Sequence, residues 1–186
     1  MSLLSDMRER RAANYYREAV RLSRLGQPGK ALESLNRVID LTPGYPEAYY
    51  LRGMQLSQLG RHDEALADFD HVRALMPEQN DADLQRGIQL SRLGRHGEAL
   101  EAGDEFLRRF PGNADALILR GGELVELGRD EDALQAFDEV LSISPEHAVA
   151  HHNRAITLTR LGRHEEAQAA RARAEAGGLR TDKDDV

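Results

Sequence analysis

Apolar and small residues recur along this chain in short stripes with helical spacing. In residues 46–79, Tyr49, Gly53, Leu56 and Leu59 make one stripe, and Ala65, Leu66, Phe69 and Val72 make a second. Intervals of three and four put each set on one face of an α-helix. Gly60 stands between the stripes, where a helix C-terminus favours a residue without a side chain. Pro46 opens the first helix and Pro77 stops the second. The pattern therefore predicts two helices joined by a tight turn.

The same unit returns along the chain. "LGRHDEAL" at 59–66 is echoed by "LGRHGEAL" at 93–100 and "LGRHEEAQ" at 161–168. Gly26, Gly60, Gly94, Gly128 and Gly162 are 34 residues apart, and each follows a Leu. Ala31, Ala65, Ala99, Ala133 and Ala167 keep the same phase, as do Pro43, Pro77, Pro111 and Pro145. Several columns in phase at one period mark a repeat architecture. Acids after Gly60, Gly94, Gly128 and Gly162, among them Asp63, Glu64, Glu98, Glu131 and Glu165, fall in the first turn of the second helix, at the positive end of its dipole. The repeated phrase thus reads as a turn in a structural unit, and its histidines, His62, His96 and His164, as covers over that turn.

This constellation resembles the tetratricopeptide repeat family over residues 12–181, in five units: 12–45, 46–79, 80–113, 114–147 and 148–181. Positions are counted within a unit from Ala12, Pro46, Asn80, Ala114 and Ala148. The family's aromatic at position 4 stands as Tyr15 and Tyr49 but is Asp83, Leu117 and His151 later. Position 8 is small throughout: Ala19, Gly53, Gly87, Gly121 and Ala155. Position 24, usually aromatic, is Leu35, Phe69, Gly103, Phe137 and Arg171. The resemblance implies an all-α, right-handed solenoid of five helix-turn-helix repeats. Residues 1–11 are expected to be a helical extension, begun by a cap at Ser5 and Asp6, and residues 182–186 a flexible tail. The last second helix trades Leu for Gln168 and reads as a polar cap. Unit three, with Asp83 and Gly103 in place of large residues, reads as drift in a tolerant fold, with a soft joint as the alternative.

Two charged columns predict contacts between repeats. Position 7 carries Arg52, Arg86, Arg120 and Arg154, and position 25 carries Asn36, Asp70, Asp104 and Asp138 before ending in Ala172. Pairing each position 25 with the next unit's position 7 leaves Ala172 with no arginine to face. The predicted bonds are Asn36–Arg52, Asp70–Arg86, Asp104–Arg120 and Asp138–Arg154, a planar guanidinium suiting a carboxylate.

Composition narrows the chemistry. A formal charge of −7 argues against sequence-independent nucleic-acid binding. Cysteine is absent, so no disulfide, thiolate nucleophile or Cys-ligated zinc is expected, which is compatible with the cytoplasm. No apolar run is long enough for membrane insertion. No nucleophile elbow, phosphate loop or His-Glu-x-x-His motif occurs, so neither catalysis nor a cofactor is expected. His147, His151 and His152 are spaced for a metal, but His147 precedes its helix and packing is the preferred reading.

The resemblance implies that first helices line a concave groove for a protein or peptide partner. Its floor would be Tyr16, Val20, Tyr50, Met54, Leu84, Ile88, Ile118, Gly122, Val125, His152 and Ile156. One rim would carry Glu47, Asp81 and Asp115, and the other Arg24, Arg92 and Arg160. Gly122 predicts a dip for a large ligand side chain, unless it serves only to ease helix contact beside Gly121. The expected function is a non-catalytic interaction scaffold. The alternatives are a recognition module cut from a larger enzyme and a self-assembling homo-oligomer.

Overall fold

A computed structural model describes residues 3–77 and 81–179. Within them lie ten α-helices: α1 (Leu3–Arg24), α2 (Pro28–Leu41), α3 (Pro46–Gln58), α4 (His62–Leu75), α5 (Ala82–Arg92), α6 (His96–Arg109), α7 (Ala114–Glu126), α8 (Asp130–Ile143), α9 (Ala148–Arg160) and α10 (His164–Ala176). The chain forms two compact units, Met1–Leu93 and Gly94–Val186. In the first, each of α1 to α5 packs on its neighbour in sequence, and α1 also touches α3. In the second the same holds for α6 to α10, with α7 touching α9. The fold class is the all-α helical-hairpin solenoid.

The turn glycines have the backbone that the sequence asked for. Gly26, Gly60, Gly94, Gly128 and Gly162 all have φ between 65° and 73°. At Gly60 the amide donates to Ser57 O and the Arg61 amide donates to Leu56 O, a Schellman pair that satisfies the last carbonyls of α3. A side chain at that φ would cost free energy, which is why the column is invariant in this chain. The arginine and acid of the repeated phrase also meet: Arg61–Glu64, Arg95–Glu98, Arg129–Asp132 and Arg163–Glu166 pair across the first turns of α4, α6, α8 and α10.

The core is built on size matching between positions 8 and 24. Phe69 and Phe137 are fully buried. A Cβ added at Gly53 would stand 2.9 Å from the Phe69 ring, and one at Gly121 would stand 2.4 Å from the Phe137 ring. In the first repeat a smaller Leu35 leaves room for Ala19 in the same cluster. Burying each ring contributes about 3 kcal/mol before ordering costs. The Ala column at position 20 is inaccessible at Ala31, Ala65, Ala99 and Ala133, because two helices touch there. Helix α10 buries only Ala167, Ala170 and Ala174 and exposes Gln168, as a polar cap requires.

Two expectations change. Helix α1 is already under way at Leu3, so positions 5 and 6 lie inside its first turn and not ahead of it. Asp83 is no mere loss of packing: its side chain is buried and pairs with Arg73 at 3.3 Å. The expected tail at 182–186 and the first position of unit three, Asn80, lie outside the described residues.

Candidate functional site

Positions 5, 9, 12 and 13 of a first helix are three, four or one residue apart and share one side of it. In residues 1–93 this side presents Tyr16 and Val20 on α1, Tyr50 and Met54 on α3, and Ile88 on α5, all half-buried. Leu84 is only 7% exposed, so it belongs to the core and not to an accessible floor. The shorter Leu is covered by its neighbours where Tyr16 and Tyr50, at the same position, reach outward. Glu47 and Asp81 are exposed at one end of this face, Arg24 and Arg92 at the other.

The aromatic part of this face is ordered by ring contacts. Tyr16 meets Tyr45 edge-on at 5.2 Å, and Tyr50 meets Phe69 edge-on at 5.7 Å. Burial lifts the Tyr16 phenol above its ordinary pKa, helped by Tyr45 and the Glu47 carboxylate. Burial followed by Glu47 does the same to Tyr45, and burial followed by Asp81 to Tyr50. Sequence reading missed Tyr45, because it lies in the loop before α3 and outside the helical stripe.

In residues 94–186 the corresponding face carries Ile118, Gly122 and Val125 on α7 and His152 and Ile156 on α9, again half-buried. A Cβ at Gly122 would meet nothing within 4 Å, whereas one at Gly121 would strike Phe137. The two glycines therefore have different causes, packing for Gly121 and an open surface for Gly122. Asp115 is exposed. Arg160 is not a free rim charge: it pairs with Asp130 at 3.0 Å and donates to Val125 O at 3.2 Å.

The junctions between repeats carry the predicted bonds. Arg52 donates to Asn36 Oδ1 at 2.8 Å, Arg86 to Asp70 at 2.8 Å, Arg120 to Asp104 at 3.0 Å and Arg154 to Asp138 at 2.7 Å. Arg52 does more. It grips Asp68 through two bonds of 2.8 and 2.7 Å, and its guanidinium lies 5.4 Å from the Tyr49 ring centre.

A second inter-repeat column was not foreseen. Position 10 of the first helices is polar yet buried at Gln55, Gln89, Glu123 and Thr157. His62 donates to Gln89 Oε1 at 2.9 Å, and His96 meets Glu123 Oε2 at 2.8 Å. These histidines join repeats and do more than cover a turn; His164, in the last repeat, is exposed. The expected packing of the other histidines has a local form. His147 caps α9 by accepting from the Ala150 amide, and His151 donates to Pro145 O at 2.8 Å.

A sequence profile of the tetratricopeptide repeat matches residues 16–80 and 84–148, and a second profile of the same description matches 136–169. The chain belongs to the tetratricopeptide repeat family. No curated protein matches these tetratricopeptide repeats by sequence. Among solved structures, MamA 41-end from Desulfovibrio magneticus RS-1 is similar at 24% identity and TM-score 0.85, with 90% of this chain and 95% of that one covered. A crystal structure of MamA gives 18% identity and TM-score 0.78, covering 86% and 94%. YrrB, described as a TPR protein with an unusual peptide-binding site, gives 22% identity and TM-score 0.75, covering 95% and 92%. These likenesses concern the fold. No helix among the described residues is long and apolar enough to cross a membrane.

Proposed function

We propose that the chain is a non-catalytic scaffold that holds a protein or peptide partner against the faces of its first helices. The observation that carries this reading is Gly122. Gly costs about 1 kcal/mol relative to Ala inside a helix, and no neighbour within 4 Å requires it there. Open space on the α7 face that carries half-buried Ile118 and Val125 suits a ligand side chain, since anchors seated in pockets dominate binding energy. Half-buried Tyr16, Tyr50, Met54 and Ile88 offer apolar contact in the other unit. The peptide-binding site attributed to YrrB is consistent with this use of the fold. A partner met in the cytoplasm fits a chain without cysteine.

The test is affinity capture from a cell extract with the parent, Gly122→Leu and Ile88→Asp, each first shown to keep the parent's helicity and melting. The reading expects a partner retained by the parent and lost from at least one variant. A partner that both variants hold as tightly as the parent would move the site to the second helices or the ends.

A further inference from the structure

The first-helix face of residues 1–93 has a chemistry of its own. Tyr16, Tyr45 and Tyr50 gather there, and the carboxylates of Glu47 and Asp81 act on those phenols. Both acids are exposed, and neither is ion-paired among the described residues. Beside Tyr45 an open pocket of about 430 Å³ is lined by Glu9, Ala12, Ala13 and residues 42–45. Its walls are mostly small and apolar, and Ala13 occupies the position that Glu47 and Asp81 hold in the next two repeats. The arginines of the same helices, Arg24 and Arg92, stand at position 13. Eleven residues of helix separate them from position 2, roughly 16 Å, beyond the screening length of about 8 Å at physiological salt. On the α1 side Arg17 donates to Ala13 O at 3.4 Å, so the acidic character lies on the opposite side of the aromatic cluster, at Glu47 and Asp81.

Resting on the scaffold reading above, we propose that this end takes a basic peptide segment bearing one bulky apolar side chain. The apolar group enters the pocket beside Tyr45, and a neighbouring lysine or arginine faces Glu47 and Asp81. Tyrosine faces attract a cation through their quadrupole, and nearby carboxylates add to that attraction. Rim carboxylates speed encounter and select the sign of charge more than they add affinity, so the complex should weaken with salt. An acidic segment would meet repulsion at Glu47 and Asp81, which makes that side selective by charge.

The experiment is selection of a display library of random short peptides on the intact chain. Binding of the winning peptides is then measured to the parent, to the double variant Glu47→Lys/Asp81→Lys, to Ala13→Phe, which fills the pocket, and to Gly122→Leu and Ile88→Asp. All altered acids and Ala13 are exposed, and melting curves confirm intact folding. The expected result is enrichment of peptides with Lys or Arg beside an aromatic or large aliphatic residue. Their affinity should fall about tenfold or more with the charge reversal and with Ala13→Phe. Enrichment of acidic or neutral peptides that ignore the charge reversal overturns this proposal; if Ile88→Asp or Gly122→Leu still abolishes their binding, the scaffold reading survives. No enrichment, or winners indifferent to every variant, overturns both.

Discussion

Replacing Gly121 by Ala should destabilise the protein, although Ala is the better helix former. The added methyl would lie 2.4, 2.6 and 2.9 Å from three atoms of the Phe137 ring. That ring is fully buried and cannot swing into solvent. Helix propensity favours the change by about 1 kcal/mol, while overpacking of a filled core costs about 1–3 kcal/mol. With a distance this short the upper end applies, leaving a net loss of about 2 kcal/mol. For a chain of this size that lowers Tm by about 4–8 °C. Gly53→Ala, with its closest approach at 2.9 Å from Phe69, should lose less, and Gly122→Ala, facing open space, should lose nothing. The decisive arm is the double variant Gly121→Ala/Phe137→Leu, which restores the alanine–leucine match that Ala19 and Leu35 show in the first repeat. Thermal and denaturant melts by circular dichroism should show it no less stable than Phe137→Leu alone, a favourable coupling of about 1 kcal/mol or more. Simple addition of the two losses, or a Gly121→Ala variant melting with the parent, would refute the size-matching account.

Arg52→Ala should cost about 3 kcal/mol, because it strands the Asp68 carboxylate, whose side chain is 6% exposed. Arg154→Ala should cost less than about 1 kcal/mol, since Asp138 is 56% exposed and water takes over; paired denaturant melts check both. Glu123→Gln should leave melting nearly unchanged, because Gln89 already meets a histidine in the preceding junction; His96→Ala, which removes the partner of a buried carboxylate, should cost about 2 kcal/mol or more in the same assay. In an alkaline absorbance titration Tyr15 should ionise ahead of Tyr16, Tyr45 and Tyr50. A hydrogen bond from Arg37, then one from Arg11, holds its pKa below the ordinary phenol value, while burial lifts the other three. Tyr15→Phe should remove the step that precedes those three. A depressed phenol pKa favours the folded state only as pH rises through that pKa, so neutral stability should not depend on this ionisation.

Period and column were enough to read most of the fold. Gly60 and its equivalents marked turns because only one backbone conformation there excludes a side chain, and Ala65 marked a helix contact because nothing larger fits. The arginine–acid junctions were legible because the partners kept their chemical type from repeat to repeat. The buried column at position 10 was not, because Gln55, Gln89, Glu123 and Thr157 vary in charge and resemble a solvated face. Pairing them with residues 27 earlier, where His62 and His96 stand, was the signal available. The candidate site was legible in register but not in exposure. Leu84 shares a position with Tyr16 and Tyr50, yet its length leaves it covered. Arg160 shares a position with Arg24, yet Asp130, thirty residues earlier, neutralises it.

The most direct test of the scaffold account is a methyl chemical-shift map, recorded on the intact chain with a saturating captured partner or selected peptide. The account predicts shifts at Met54, Ile88, Ile118 and Ile156 on the first helices, and none at Ile143, which is 57% exposed on the second helix α8. Perturbation centred on Ile143 and sparing the first-helix methyls would contradict it.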